Sequence, residues 1–341
     1  MSMLNKAYIN LNILKQNVKN IKRKLSPNVK FCAVVKADGY GHGASEIACA
    51  IYTECDYFAV AIVEEGIRLR QSGIDKAILV LTTPLPCDIS GAVFYDLTLS
   101  VDNINIINKI ERECKKQSKR IKLHIKYNTG MNRLGVDSLS ELDELAKRIV
   151  ASKYMILEGL FSHLGSPQNK KTTKIAQNKF LLANNLIKGY NNNAICHLSA
   201  SGGFLLKVPS DMVRIGILMY GYKPFPSTFI NVKPIMKIYA PILKIRHLKK
   251  GDCCLYGDLR LKKPKNIFLV RCGYADGLPR KKIKGQYNNR CMDITALENA
   301  KTTKKGVLIM GNADMISKKY NTISYEVLTK SAIRAQKIYL R

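Results

Sequence analysis

The chain alternates short apolar runs with longer segments of helical spacing. The first run, Phe31-Cys32-Ala33-Val34-Val35, is continuous, as in a strand covered on both faces. Seven more runs follow, at Tyr57 to Ile62, Ala77 to Leu81, Leu97 to Val101, Ile121 to Tyr127, Leu157 to Ser162, Ala194 to Leu198 and Met212 to Arg214. Between them, Ala44 to Tyr52, Glu64 to Gln71, Asn103 to Lys115, Ser140 to Ser152 and Thr173 to Ile187 carry apolar residues at helical spacing, the fourth with Ser140 as a usable cap. Eight strands alternating with helices predict an α/β chain folded as a (β/α)8 barrel over residues 1–225. After Tyr222 the texture changes. Pro224, Pro226, Pro234 and Pro241 lead into apolar runs at Ile242 to Leu248, Ile267 to Cys272 and Val307 to Met310. With turns at Lys250-Gly251-Asp252 and Tyr256-Gly257-Asp258 and a helix over Tyr325 to Ala335, they predict a smaller, mostly β domain over residues 226–341.

Composition narrows the function classes. The 341 residues are 46% apolar and 24% charged, which excludes a disordered chain. No apolar stretch has the length of a signal peptide or a membrane span, so a cytoplasmic protein with no membrane partner is expected. Ten cysteines lie scattered without CxxC pairs or a Cys/His ligand pattern, which supports neither a metal site nor a disulfide framework. The charge of +31 raises nucleic acid as a partner, but the lysines are spread along the chain rather than gathered on one aromatic-bearing element. No specific nucleic-acid partner is expected.

In a barrel, chemistry collects where strands end. Lys36 ends the first strand and opens Lys36-Ala37-Asp38-Gly39-Tyr40-Gly41-His42-Gly43. An amine held at an apolar strand end loses hydration, which lowers its pKa and frees its lone pair for carbonyl chemistry. Lys126 ends the fifth strand with Arg133 just beyond, His163 ends the sixth, Ser201 follows the seventh and Arg214 ends the eighth. Each alone reads as easily as a solvated or structural group; their convergence on one barrel face does not. Gly216-Ile217, after the last strand, begins a turn whose N–H groups, with the Ser201 hydroxyl, suit a phosphate. A lysine opposite a phosphate site suggests pyridoxal 5'-phosphate.

At that point the sequence resembles the alanine racemase family over essentially its whole length. The residues that carry the resemblance are AVVKADGYGHG (33–43), HIKYNTGMNRLG (124–135), LEGLFSHL (157–164), MVRIGILMYG (212–221), GYADGLPR (273–280), CMD (291–293) and TISYE (322–326). It implies that Lys36 carries pyridoxal 5'-phosphate covalently and is the base on one face of the substrate's α-carbon. Tyr274, from the partner subunit, would be the base on the other, with His163 and Arg214 supplying the positive charge a phenolate needs. It further implies that Arg214 donates to the pyridine nitrogen, and that Tyr40, Ser201, Gly216, Ile217 and Tyr325 contact the phosphate. Arg133 and the partner's Met292 N–H would hold the substrate carboxylate, and Lys126 stands at a position often carbamylated. The function so implied is L- and D-alanine interconversion, supplying peptidoglycan precursors, by a homodimer with shared active sites. A racemase for serine or another small amino acid, a decarboxylase on the same architecture, or a non-catalytic carrier of the cofactor are the alternatives.

The chain also departs from the family's pattern. The interval from Tyr274 to Met292 is short, Asn289 stands where an arginine is common with Arg290 beside it, Ala200 replaces an asparagine, and Asn128 replaces an aspartate.

Overall fold

The computed structural model describes residues 4–253, 260–280, 290–298, 300 and 302–341. In chain order the strands are β1 (Lys6–Asn10), β2 (Lys30–Val34), β3 (Tyr57–Val60), β4 (Ala77–Val80), β5 (Thr98–Val101), β6 (Ile121–Lys126), β7 (Met155–Phe161), β8 (Ile195–His197) and β9 (Met212–Ile215). They continue with β10 (Met236–Ala240), β11 (Ile242–Leu248), β12 (Lys265–Val270), β13 (Thr295–Glu298), β14 (Thr302–Thr303), β15 (Gly306–Met310) and β16 (Gln336–Leu340).

The eight expected barrel strands are β2 to β9, joined as parallel neighbours in the order β8-β7-β6-β5-β4-β3-β2-β9. Backbone bonds from Asp211 N–H to Cys196 O (2.9 Å) and Arg214 N–H to Ser199 O (3.0 Å) bring β8 against β9 and close the ring. These strands read as continuous apolar runs because β3, β5 and β9 are buried at every residue. Some connecting helices begin at polar caps, with Asn103 accepting from Ile106 N–H before Ile104–Gln117 and Asn169 accepting from Thr172 N–H before Lys170–Tyr190. The helix expected from Ser140 starts earlier, at Leu139, because Ser138 rather than Ser140 accepts from Glu141 N–H.

The expected division at residues 225 and 226 does not describe the sheets. Strand β1 pairs antiparallel with β10 and parallel with β16. The chain accordingly divides into one compact unit of Met1–Leu14, Tyr40–Gly43 and Lys233–Arg341 and another of Lys15–Gly39 and Ala44–Val232. The physical reason lies in β1 itself: Ala7 and Ile9 alternate with half-exposed neighbours, the pattern of an antiparallel sheet with one buried face, and both are fully buried there. The first unit holds the five-stranded sheet β14-β15-β10-β1-β16 and the three-stranded sheet β11-β12-β13. It also carries helix Ala313–Tyr320, which the sequence reading did not anticipate, and helix Ser324–Ser331, which ends before the expected Ala335. The turn at Tyr256-Gly257-Asp258, Asn289 and Cys254 lie outside the described residues; the other nine cysteines are free thiols.

Within that unit Gly41 has φ +81°, and a Cβ there would lie 2.5 Å from the Leu328 carbonyl oxygen. Gly41→Ala is therefore expected to destabilise the protein by roughly 2 kcal/mol or more, from left-handed strain plus overlap with backbone. Urea unfolding against the parent measures it.

Candidate active site

The barrel's interior side chains follow from strand alternation. In β6, Lys122, His124 and Lys126 occupy every second position and so share one face. Lys36, just past β2, is held by an unusual backbone. Ala37, Asp38, Gly39 and Tyr40 are all left-handed, at φ 51°, 52°, 61° and 54°. Such residues cost roughly 1–2 kcal/mol each when not glycine, so the turn persists only because its neighbours fix it. Glu65 does much of this: one carboxylate oxygen accepts from Ala37 N–H at 2.6 Å and the other from Ala61 N–H at 2.7 Å. Asp38 accepts from Ala44 N–H at 3.0 Å.

The electrostatics of Lys36 match the expectation from its strand end. Burial lowers its pKa, the Arg133 and Arg214 guanidiniums lower it further, and Glu65 opposes them. Lys126 is buried and donates to Leu81 O at 3.0 Å, with its ammonium 5.2 Å from the Phe161 ring centre. Burial, then Arg133 and Arg214, push its pKa down to about 8. Arg133 itself is exposed, on a loop organised by Asn128. The Asn128 amide donates to Asp137 and Asn132, and its oxygen accepts from the Gly130 and Asn132 N–H groups. The NH2 donation to Asp137 is one an aspartate cannot make, so the departure at this position is matched by its surroundings.

His163 requires a correction. Burial and then Arg214, Arg133, Lys36 and Lys126 push its pKa down to about 3. That keeps it neutral at physiological pH, so the positive charge expected of it resides on the arginines and lysines. A cleft of about 200 Å³ opens beside it, lined by Thr129, Met131, Ser166 and Thr173 among others.

Arg214 is 3% exposed. Its guanidinium donates to His197 O (2.8 Å), Ser162 O (2.6 Å) and His197 Nδ1 (2.5 Å), and it lies 5.3 Å from the Phe161 ring centre. Beyond it runs a chain the sequence reading missed. His197 Nε2 is 2.9 Å from His124 Nδ1, and His124 Nε2 is 3.1 Å from the Glu158 carboxylate. Because arginine only donates, His197 Nδ1 must accept, which places its proton on Nε2 and makes His124 Nδ1 the next acceptor. Both imidazoles therefore carry their proton on Nε2, and every donor points from Arg214 toward Glu158. Burial raises the Glu158 pKa, but hydrogen bonds from His124, Tyr57 and Lys122 outweigh it and hold the carboxyl at about 2. The legible signal was the alternation Lys122, His124, Lys126, three bases on one strand face. Gly159 leaves room for the ring, since a Cβ there would sit 2.5 Å from the His124 imidazole.

Ser201 opens the short helix after β8, and its hydroxyl accepts from Gly216 N–H at 3.2 Å, with Ile217 adjacent and buried. Tyr40 and Tyr325 lie together in the first unit with ring centres 6.0 Å apart, and burial pushes the Tyr325 phenol up to about 12, keeping it a donor. In the same unit Tyr274 is 39% exposed and Met292 54% exposed. Arg290 donates to Pro279 O, Thr295 Oγ1 and Tyr320 OH, so it braces the sheet instead of standing in for the arginine expected at 289.

Comparison with known proteins places this geometry. The alanine racemase N-terminal domain family matches residues 9–224 and the alanine racemase C-terminal domain family residues 235–339. The chain belongs to the alanine racemase family. It is 35% identical to the alanine racemase of Treponema denticola, over 81% of this chain and 76% of that protein. It is 33% identical to that of Macrococcus caseolyticus, over 97% and 93%. The solved alanine racemase of Clostridium difficile 630 superposes with a TM-score of 0.92 at 30% identity, covering all of this chain and 96% of the other. The family is one of isomerases, depends in general on pyridoxal phosphate and supplies D-alanine for peptidoglycan. Among the described residues no helix is long and apolar enough to cross a membrane.

The depressed imidazole has a measurable consequence. The unfolded chain takes up a proton near pH 6.5 whereas folded His163 does so near 3, so stability is lost as pH falls from 6.5 toward 3. Urea melts of cofactor-free protein are expected to show that decline, and His163→Asn is expected to make it shallower; equal slopes would show that the imidazole is not held neutral.

Proposed function

We propose that this protein racemises alanine as a pyridoxal 5'-phosphate enzyme, with one base on each face of the substrate's α-carbon, in a cytoplasmic homodimer with shared active sites. The observation that supports this best is the gathering of Lys36, Lys126, Arg133 and Arg214, each lowering a neighbour's proton affinity, around a neutral His163. So much positive charge in a partly buried site fits anionic ligands, here a phosphate and a carboxylate. The donor set fits the cofactor: Ser201, Gly216 and Ile217 would hold its phosphate, Arg214 its ring nitrogen and Lys36 its carbonyl carbon, and the family resemblance adds Tyr40 and Tyr325 to the phosphate contacts. When bound, the cofactor supplies an electron-withdrawing ring that acidifies the substrate's α-carbon.

The residues divide the remaining work. Lys36 Nζ, its proton affinity already lowered by burial and the arginines, takes or returns the α-proton on one face. The partner subunit's Tyr274 does so on the other, which inversion requires because a single base returning its own proton restores the starting enantiomer. Exposure of Tyr274 and Met292 leaves both available to a second copy. Arg133 and the partner's Met292 N–H orient the substrate carboxylate. Arg214 presents only donors, and the directed chain through His197 and His124 to Glu158 keeps it so, leaving a pyridine nitrogen to accept without gaining a proton.

Two measurements test the reading. L-Alanine turned over in deuterium oxide is expected to give α-deuterated D-alanine with the parent, and Tyr274→Phe is expected to lose inversion by roughly 10²-fold or more. Exchange without inversion in the parent would sink the two-base scheme. Lys126, with a pKa of about 8, holds a much larger fraction of free amine than an ordinary lysine and is proposed to be carbamylated. Labelled bicarbonate should then give a carbamate carbon resonance that disappears in Lys126→Ala.

A further inference from the structure

Tyr274 and Met292 are 18 residues apart in sequence yet reach the proposed site as a pair, which raises the question of what holds them together. Backbone contacts begin the answer. Tyr274 N–H donates to Cys291 O at 3.1 Å and Ala275 N–H to Met292 O at 3.0 Å. Gly273 lies so close that a Cβ would meet Met292 O at 2.0 Å. On the other side Gly277, at φ +83°, lies against the end of helix Ser324–Ser331, where a Cβ would meet Lys330 O at 2.1 Å. The turn Tyr274–Asp276 is thus wedged between the Cys291–Met292 backbone and the end of that helix.

Asp276 sits at the centre of the wedge. Its Oδ2 accepts from Gly273 N–H at 2.8 Å, while its Oδ1 is buried without a hydrogen-bond partner. A buried carboxylate oxygen left in that state is costly unless a cation faces it. Arg334 is that cation, with Nε 3.7 Å from Asp276 Oδ1, and its NH1 donates to Asp293 Oδ1 at 2.7 Å. One guanidinium therefore joins the carboxylate that closes the Tyr274 turn to the carboxylate next to Met292.

We infer that Arg334 is a positioning residue for catalysis, fastening the Tyr274 turn to the Met292–Asp293 segment so that the base and the carboxylate-binding N–H arrive in fixed register. The inference rests on the reading of Tyr274 as the opposite-face base. A forked guanidinium suits the task because it meets two carboxylates in different directions, which the point charge of a lysine does not. It acts on one face only, since Lys36 is held by Glu65 and its left-handed turn.

The test uses full-length, cofactor-loaded dimer and both alanine enantiomers in deuterium oxide, with Tyr274→Phe alongside. In Arg334→Ala, inversion is expected to fall roughly tenfold or more, as for a displaced catalytic group. Deuterium wash-in without inversion, from the enantiomer whose α-hydrogen faces Lys36, should remain near the parental rate. Asp293→Ala should show the same one-sided loss and add little to Arg334→Ala, because the latter already removes the Arg334–Asp293 contact. If Arg334→Ala does not assemble, Arg334→Lys is read in its place and should show the same asymmetry. Equal loss on both faces, parent-like inversion in the Arg334 variants, or additive effects of the two substitutions would overturn the clamp while leaving Tyr274 as base. A Tyr274→Phe protein that inverts as fast as the parent would overturn the base and the clamp together.

Discussion

A guanidinium buried inside a barrel with no carboxylate against it among the described residues is the constraint on which this structure turns. Arg214 is compensated by three carbonyls, an aromatic face and the acceptor nitrogen of a neutral imidazole. A carboxylate in direct contact would neutralise it and spoil it as a donor to a ligand, whereas no compensation would leave a charge too costly to bury. The fold adopts an intermediate solution by placing Glu158 two histidines away. The price of that arrangement is borne locally: Gly159 must have no side chain, and His124 and His197 must each keep one tautomer.

The same positive charge sets the state of everything around it. His163 is neutral and Lys126 has its pKa pushed down to about 8, both through burial reinforced by the arginines. Anions entering the site would relieve this repulsion, so ligand binding and local stability are coupled through electrostatics more than through contact area. The left-handed turn after Lys36 belongs to the same economy, with strain in the backbone offset by the Glu65 carboxylate.

The barrel was legible in the sequence because its strands are buried on both faces and therefore appear as uninterrupted apolar runs, β2 most clearly. Lys36, Lys126, Ser201 and Arg214 were legible because they stand at the ends of those runs. What escaped was polar and internal to the strands: His124, Glu158 and His197 look like ordinary interruptions until the topology places β6, β7 and β8 side by side. The assignment of β1 also escaped, since five alternating residues do not name their sheet. The charge state of His163 depends on cations supplied from three other strand ends, which no local pattern records. Arg334 is equally silent, because its two partners come from separate turns.

The chain visits the C-terminal unit twice before its final entry at Lys233. It begins in the C-terminal unit with β1, which pairs with β10 and β16, and it returns there for Tyr40–Gly43 before resuming the barrel at Ala44. A boundary drawn after residue 225 would strip β1 of both its sheet partners and would part Tyr40 from Tyr325. The two units are therefore not interchangeable modules, and recombination between relatives at that boundary would join a barrel carrying one lineage's β1 and Tyr40 loop to another lineage's sheet. Selection acts on them as a single inheritance, which makes wholesale replacement of either part a less accessible route of divergence than point changes within each unit.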